Sequence, residues 1–337
     1  MINHIYQLVS PGVFSIEYAS TDLADKVILR PQFMALCHAD QRYFLGQRSQ
    51  DVLRKKLPMA LIHECCGRVL QDPTGTFAPG ARVVAIPNSP QSPDPIISEN
   101  YRRDSRFLSS GYDGFMREYI DLPADRLVSC DGVPDHIAAI TEFVSVTVQA
   151  ARRFDRLAHA RRDRVGIWGD GSMAFVLACT LRSLFPQIEL HVVGKNAHKL
   201  SMFSFVGATH FADDLPQGFS VDHAFECAGG EGSYYAIDDI IRTIEPQGTV
   251  ILLGVSENKV AINTRDVLEK GLTLAGSSRS GREDFVEAIR LMGDPAVQNR
   301  LNRIISIDDP VCQMGDIERV FRTDLNTPFK TVFEWRM

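Results

Sequence analysis

From about residue 145, short apolar runs of strand character alternate with runs of helical character, and this rhythm limits the available folds more than any other feature of the chain. RVGIWG, IELHVVG, ATHFA, VDHAFECAG, GTVILLG and GLTLAGS read as strands, with SMAFVLACTLRSLF, AHKLSMFSFVG and GSYYAIDDIIRTI as helices between them. Strands apolar almost from end to end must be covered on both faces. An α/β fold with a doubly wound parallel sheet is the expected result.

Between the first strand and the first helix of this series stands Gly169-Asp170-Gly171-Ser172-Met173-Ala174, a G-x-G-x-x-A. In that position the first glycine makes a tight turn, and the second lets backbone approach a pyrophosphate. The small third residue lets helix pack on strand, and the helix N-terminus faces the phosphates. A dinucleotide is therefore expected at Gly169, Gly171, Ser172, Met173 and Ala174. A site built for NAD carries Asp or Glu at the end of the second strand, for the ribose 2′-hydroxyl. Here HVVGKNAHK puts Gly194 at that place, followed by Lys195 and Lys199, so a 2′-phosphate and hence NADP(H) is favoured.

A chain of 337 residues exceeds what one hydrophobic core usually organises. Residues 1–143 read as short strands with Gly and Pro punctuation, among them DKVILRPQFM, GRVL and ARVVAIP. Residues 144–283 hold the alternating series. Residues 284–337, with helices at EDFVEAIRLMG and MGDIERVFRTD and a strand at TPFKTVFEWRM, are expected to complete the first domain. Residues 87–114 form a long Pro- and Ser-rich stretch of the kind that serves function or wraps a neighbour. Acidic side chains exceed basic ones by 42 to 36, which gives no reason to expect nucleic acid as a partner. Neither a secretion signal nor a membrane-length apolar run is found, and seven scattered cysteines do not make a disulfide framework. A soluble, reduced, cytoplasmic protein is expected, with Cys179, Cys227 and Cys312 as small core hydrophobes.

Two stretches concentrate metal-binding chemistry: LCHADQRYF, with Cys37, and LIHECCG, with His63 and Glu64. They make either a catalytic zinc site or a pair of core residues satisfied by local hydrogen bonds. Catalytic zinc takes about three protein ligands and keeps one position open. Glu142, an acid dropped into the apolar run ITEFVSVTVQAARR, is the best third ligand. Glu64 would bind directly or exchange with water, and Asp40 would orient His63 from behind.

These segments resemble the zinc-containing medium-chain dehydrogenase/reductase family. The match runs almost end to end, through CHAD, HECCG, GYDGFMREYI, TEFVSVTVQAARR and the G-x-G-x-x-A turn. LPMALIHE, IWGDGSM, DHAFECAGG, NTRDVLEKGLTL and GSSRSGREDF are similar to one branch, the teichoic-acid and capsule ribulose-5-phosphate reductases. The resemblance implies a GroES-like catalytic domain with a Rossmann domain, and NADPH-dependent reduction of D-ribulose 5-phosphate to D-ribitol 5-phosphate. It also implies one catalytic zinc at Cys37, His63, Glu64 and Glu142, a homodimer, and a cytidylyltransferase as the functional partner that uses ribitol 5-phosphate. Two departures matter. Residues 87–114 contain no cysteine, where many members carry four on a structural zinc, so no structural zinc is expected. Position 39 is Ala where many members relay a proton through Ser or Thr, which leaves Glu64, a bound water or Tyr43. The sugar phosphate needs a cationic clamp, for which Arg42 and Arg279 are the candidates, and Tyr43 would line the pocket. The competing readings are an NAD(P)-linked zinc polyol or secondary-alcohol dehydrogenase acting on unphosphorylated sugars, and a non-enzymatic protein that kept the cofactor fold.

Overall fold

Residues 2–20, to which the sequence reading assigns no element, form an antiparallel hairpin in the computed structural model, which describes residues 1–21 and 23–337. Its strands β1 (Ile2–Ser10) and β2 (Val13–Ser20) turn at Pro11-Gly12, where Gly12 takes a φ of +74°. The chain continues through β3 (Val27–Ala35), α1 (His38–Phe44), α2 (Gln50–Lys56), β4 (Met59–Ala60), β5 (Glu64–Gln71) and β6 (Arg82–Ala85). Then come the short pair β7 (Asn88–Ser89) and β8 (Arg106–Phe107), followed by β9 (Ile120–Leu122), β10 (Leu127–Ser129), α3 (Asp135–Ala138) and α4 (Thr141–Leu157). The alternating series is β11 (Arg164–Trp168), α5 (Ser172–Leu184), β12 (Glu189–Gly194), α6 (Ala197–Leu200), β13 (Ala208–Phe211), β14 (His223–Glu226), α7 (Gly232–Thr243), β15 (Thr249–Leu252), α8 (Thr264–Lys270) and β16 (Thr273–Gly276). The remainder is α9 (Arg282–Met292), α10 (Pro295–Asn302), β17 (Ile305–Val311), α11 (Met314–Asp324) and β18 (Lys330–Trp335).

These elements divide into two units, Met1–Ser145 with Ser280–Met337, and Val146–Arg279, so one division falls inside α4. In the first unit, strands are ordered β10-β6-β5-β3-β18-β17, with β9 also on β3, and a smaller sheet runs β2-β1-β4. Pro31 lies inside β3, which is flanked on both sides, and the ladder with β5 shifts register between Pro31 and Phe33. A proline has no N–H to give a ladder, so the bulge is where a central strand can carry one. The core of this unit includes Leu8, Leu29, Met34, Phe115, Phe321 and Phe333. The 87–114 stretch is pinned to the same unit, because the Glu99 carboxylate accepts from Arg126 at 3.1 Å and from the Arg282 N–H at 2.7 Å.

In the second unit all strand pairs of the order β13-β12-β11-β14-β15-β16 are parallel. One expected element is shorter than the sequence reading makes it. AHKLSMFSFVG is helical only over α6, and from Met202 to Val206 the backbone turns by i→i−3 bonds. Phe203 and Phe205 both pack on Phe175, at ring distances of 5.1 and 5.3 Å. Residues two apart point to different sides of an α-helix, so this packing and a continued helix exclude each other. Among the described residues no helix is long and apolar enough to cross a membrane.

His223, on β14, is fully buried with both ring nitrogens used. Nδ1 accepts the Thr249 N–H at 3.0 Å, and Nε2–H donates to the Arg161 carbonyl at 3.0 Å. Burial, helped by His159, lowers its pKa from 6.5 to about 4. The native ring is thus neutral where the unfolded ring takes up a proton. Its contribution to stability is complete above about pH 6.5 and is lost as pH falls toward 4, at no more than about 1.4 kcal/mol per pH unit. Urea midpoints measured between pH 7 and 5 are expected to fall less steeply in a His223→Gln chain than in the native one. Parallel slopes would exclude this account.

Candidate active site

The first candidate centre sits where β3 ends and β5 begins. Cys37 caps α1, and Asp40 on that helix ties three segments together. Its Oδ2 accepts the Cys37 N–H at 3.1 Å, and its Oδ1 accepts the Ile62 N–H at 3.0 Å and the Ser109 hydroxyl at 2.9 Å. Ile62 holds a φ of +68°, a strained conformation for a β-branched residue. The strain is held by that Asp40 bond and by the Phe115 N–H, which reaches the Ile62 carbonyl at 2.7 Å. Gly114 makes the approach feasible, since a Cβ there would lie 2.4 Å from the Leu61 and Ile62 carbonyl oxygens. The outcome is that His63, next in sequence, turns into the site against Phe107, at a ring distance of 5.3 Å.

One ligand atom from each of Cys37, His63 and Glu64 lies within 4.8 Å of the others. Glu142, buried in the first turn of α4, falls outside that close trio, but its charge acts on both His63 and Glu64. Asp40 Oδ1 stands 3.8 Å from His63 Nδ1, beyond hydrogen-bonding reach, so it acts on the ring by charge. Burial alone would lower the His63 pKa, yet Asp40, Cys37 and Glu142 together raise it well above its usual value. Glu64 is pushed up to about 7 by burial, against the pull of Lys330.

Lys330, which the sequence reading passes over, is the counter-ion of the site. Its Nζ donates to the Leu36 carbonyl at 2.7 Å and to the Glu64 carboxylate, and it lies 4.6 Å from the centre of the Phe143 ring. A lone lysine in the apolar strand FKTVFEW is the same signal that marks Glu142, a charge that needs a buried partner. Among the described residues His63 Nδ1 and Glu64 Oε2 are buried without a hydrogen-bond partner. Buried orphan atoms on a sulfur, nitrogen and oxygen donor set with an excess of acids fit a zinc ion. Tyr43 is packed in the core, with the Arg48 and Lys56 cations 5.1 and 5.9 Å from its ring centre. Arg42 is half-buried on the same helix, in the first unit. Arg279 closes the second unit, with a left-handed φ of +57°.

In the second unit the G-x-G-x-x-A turn borders a cleft of about 330 Å³. Gly169 has φ +133°, and a Cβ there would come 2.9 Å from the Cys227 backbone. Gly171 caps α5, and a Cβ on it would meet nothing within 4 Å among the described residues, which leaves the helix start open to a ligand. Ala174 is fully buried behind it, and Ser172 and Met173 are half-buried in the first turn. Gly194, Lys195 and Lys199 line the same cleft, together with Tyr235 and Asp239, which the sequence reading does not single out.

Comparison with known proteins places this geometry. Residues 23–135 match the alcohol dehydrogenase GroES-like domain, and residues 187–294 match the zinc-binding dehydrogenase domain. A ribulose-5-phosphate reductase of Streptococcus pneumoniae is 52% identical over 340 residues, covering 100% of this chain and 98% of the relative. A ribulose-5-phosphate reductase of Bacillus spizizenii is 47% identical over 341 residues, covering 100% of both. The crystal structure of S. aureus TarJ in complex with NADPH shares 41% of residues at a TM-score of 0.88, with both chains covered fully. The chain belongs to the zinc-binding dehydrogenases of the medium-chain dehydrogenase/reductase family, and within them to the ribulose-5-phosphate reductase branch. The α/β architecture with GroES-like and Rossmann parts, expected from the sequence, is the one found.

Removing one member of a buried ion pair leaves the other charge without compensation. Lys330→Ala is expected to lower the unfolding free energy by about 3–5 kcal/mol. Adding Glu64→Gln to Lys330→Met should recover most of that loss in equilibrium denaturation. If Lys330→Ala unfolds like the native chain, the pair has no such role.

Proposed function

We propose that this protein reduces D-ribulose 5-phosphate to D-ribitol 5-phosphate with NADPH and a proton, at one zinc centre per chain. The observation that carries this reading is the cluster of half-buried Cys37 with buried His63 and Glu64, in a chain 52% identical along its length to a ribulose-5-phosphate reductase. NADPH is favoured by the S. aureus TarJ complex and by the pairing of Gly194 with Lys195 and Lys199 in the cleft.

When bound, zinc supplies Lewis acidity toward the C2 carbonyl oxygen and the nicotinamide supplies the hydride. Cys37, His63 and Glu142 are the residues proposed to hold the ion. Glu64 stands beside them with its Oε1 engaged by Lys330. Ala39 brings no hydroxyl, and Tyr43 is enclosed in the core. Glu64 Oε2 then becomes the group of this chain for holding the proton that ketone reduction consumes. Asp40 keeps Cys37 and His63 in place through the backbone of residues 37 and 62. Gly169, Gly171 and the start of α5 receive the pyrophosphate, and Arg42 and Arg279 are proposed for phosphate recognition. The product would feed teichoic acid or capsule synthesis through a cytidylyltransferase, and the enzyme would act as a cytoplasmic homodimer.

The test is the oxidation of NADPH by D-ribulose 5-phosphate, beside NADH and unphosphorylated ribulose, before and after chelation, with metal content measured on the same samples. Activity is expected to be lost with the metal and restored by zinc. Each missing phosphate should cost at least about tenfold in kcat/KM, the value of one charge-assisted contact. Equal rates with NADH or free ribulose would reduce the reading to a zinc polyol dehydrogenase.

A further inference from the structure

Of the two acids lining the cleft of the second unit, Asp239 is paired with Arg242, and the other stands in an unusual place. An NAD site has a carboxylate at the end of the second strand, where this chain has Gly194. The nearby carboxylate belongs instead to Asp170, inside the glycine turn. Its Oδ2 accepts the backbone N–H groups of both Lys195 and Asn196, each at 2.7 Å. Asn196 in turn caps α6, its side chain accepting the Lys199 N–H at 3.0 Å. Both lysines of the cleft therefore hang from one turn, and Asp170 fastens that turn to the pyrophosphate loop. The Lys195 ammonium is held 5.4 Å from the centre of the Tyr235 ring, which also lines the cleft.

The same carboxylate excludes the alternative arrangement by volume. A Cβ at position 194 would lie 2.6 Å from Asp170 Cβ and 2.7 Å from its Oδ2. An acid at the strand end and Asp170 in its present position exclude each other.

We propose that Asp170 is a positioning residue for cofactor selectivity: it ties down the Lys195–Asn196 backbone so that Lys195, beside Tyr235, meets the 2′-phosphate, and it bars a carboxylate from position 194. The inference rests on the NADPH reading above. Asp170 acts through Lys195, so the two side chains belong to one device and their removal should not add.

The experiment titrates NADPH and NADH by fluorescence into the native chain, Asp170→Ala, Lys195→Ala and the double variant, with unfolding midpoints recorded alongside. Asp170→Ala is expected to weaken NADPH about tenfold while changing NADH less than about twofold. Lys195→Ala should do the same, and the double variant should be within about twofold of Lys195→Ala. Asp170→Asn keeps an acceptor oxygen and should retain the preference within about threefold. Should Asp170→Ala fail to fold, this variant decides, and loss of the preference with a native midpoint overturns the proposal. Gly194→Asp should gain NADH affinity only when combined with Asp170→Gly. The proposal is overturned if Asp170→Ala weakens both cofactors equally, if it strengthens NADPH (a carboxylate that merely repels the phosphate), or if the single losses multiply. A native chain that binds both cofactors equally would overturn the NADPH reading, and this inference with it. A native preference for NADPH that Asp170 leaves untouched overturns the inference alone.

Discussion

Glu64 and Lys330 are separated by 266 residues and are almost entirely withdrawn from water. Either charge alone in that position would cost several kcal/mol, and the pair together contributes little net stability over an apolar replacement. Its effect is on arrangement. β18 must lie beside β3, and β5 must begin at Glu64, or both charges are stranded. Once those three strands are in register, Cys37 follows the end of β3 and His63 stands immediately before β5, which brings their ligand atoms and that of Glu64 within 4.8 Å of one another. The candidate metal centre is therefore a product of the same constraint that orders the sheet. Asp40 adds the finer adjustment, fixing residues 37 and 62 through their backbones while Ile62 is held in a conformation it would not choose alone.

The second unit solves a different problem, how to bring backbone close to a nucleotide without leaving polar groups unsatisfied. Glu226, at the end of β14, is the buried answer. Its carboxylate accepts the N–H groups of Ala228, Gly229 and Gly254 and the Ser233 hydroxyl, at 2.9–3.1 Å. Gly254 is required for that contact, since a Cβ there would lie 2.3 Å from Glu226 Oε1. Asp170 does at the mouth of β12 what Glu226 does at the mouth of β14. In both places a carboxylate takes up backbone donors of a loop, and a glycine makes room for it.

The parts legible in the sequence were those with a local physical signature. Strand–helix alternation announces a parallel sheet, because two-sided burial demands continuous apolar strands. The G-x-G-x-x-A turn declares itself by its spacing between strand and helix, although the backbone that crowds Gly169 is that of Cys227, far along the chain, and the space at Gly171 is open. Cys37, His63 and Glu142 are readable as chemistry out of place in apolar surroundings. Lys330 carries the same signal, yet its meaning depends on Glu64, far away in sequence. Tyr235 is invisible for a related reason, since nothing in GSYYAIDD tells which of two adjacent tyrosines faces the cleft. The overlong helix at 197–207 shows the limit of propensity, where two phenylalanines packing on Phe175 override a local preference. The long polar stretch after residue 87 reads as one that serves function or wraps a neighbour, but nothing local in it tells that Glu99 binds it to Arg126 and to the first residue of α9.

One unit is made from a continuous stretch, Val146–Arg279, while the other is assembled from residues on either side of it. During synthesis the candidate nucleotide cleft has all of its chain before β18 has been made at all. The cysteine and histidine of the candidate metal centre emerge early, but Glu64 has no counter-ion until residue 330 arrives. Cofactor-binding competence can thus precede metal-binding competence in the life of each molecule, and the thiol of Cys37 passes through a period in which the strand that completes its surroundings does not yet exist.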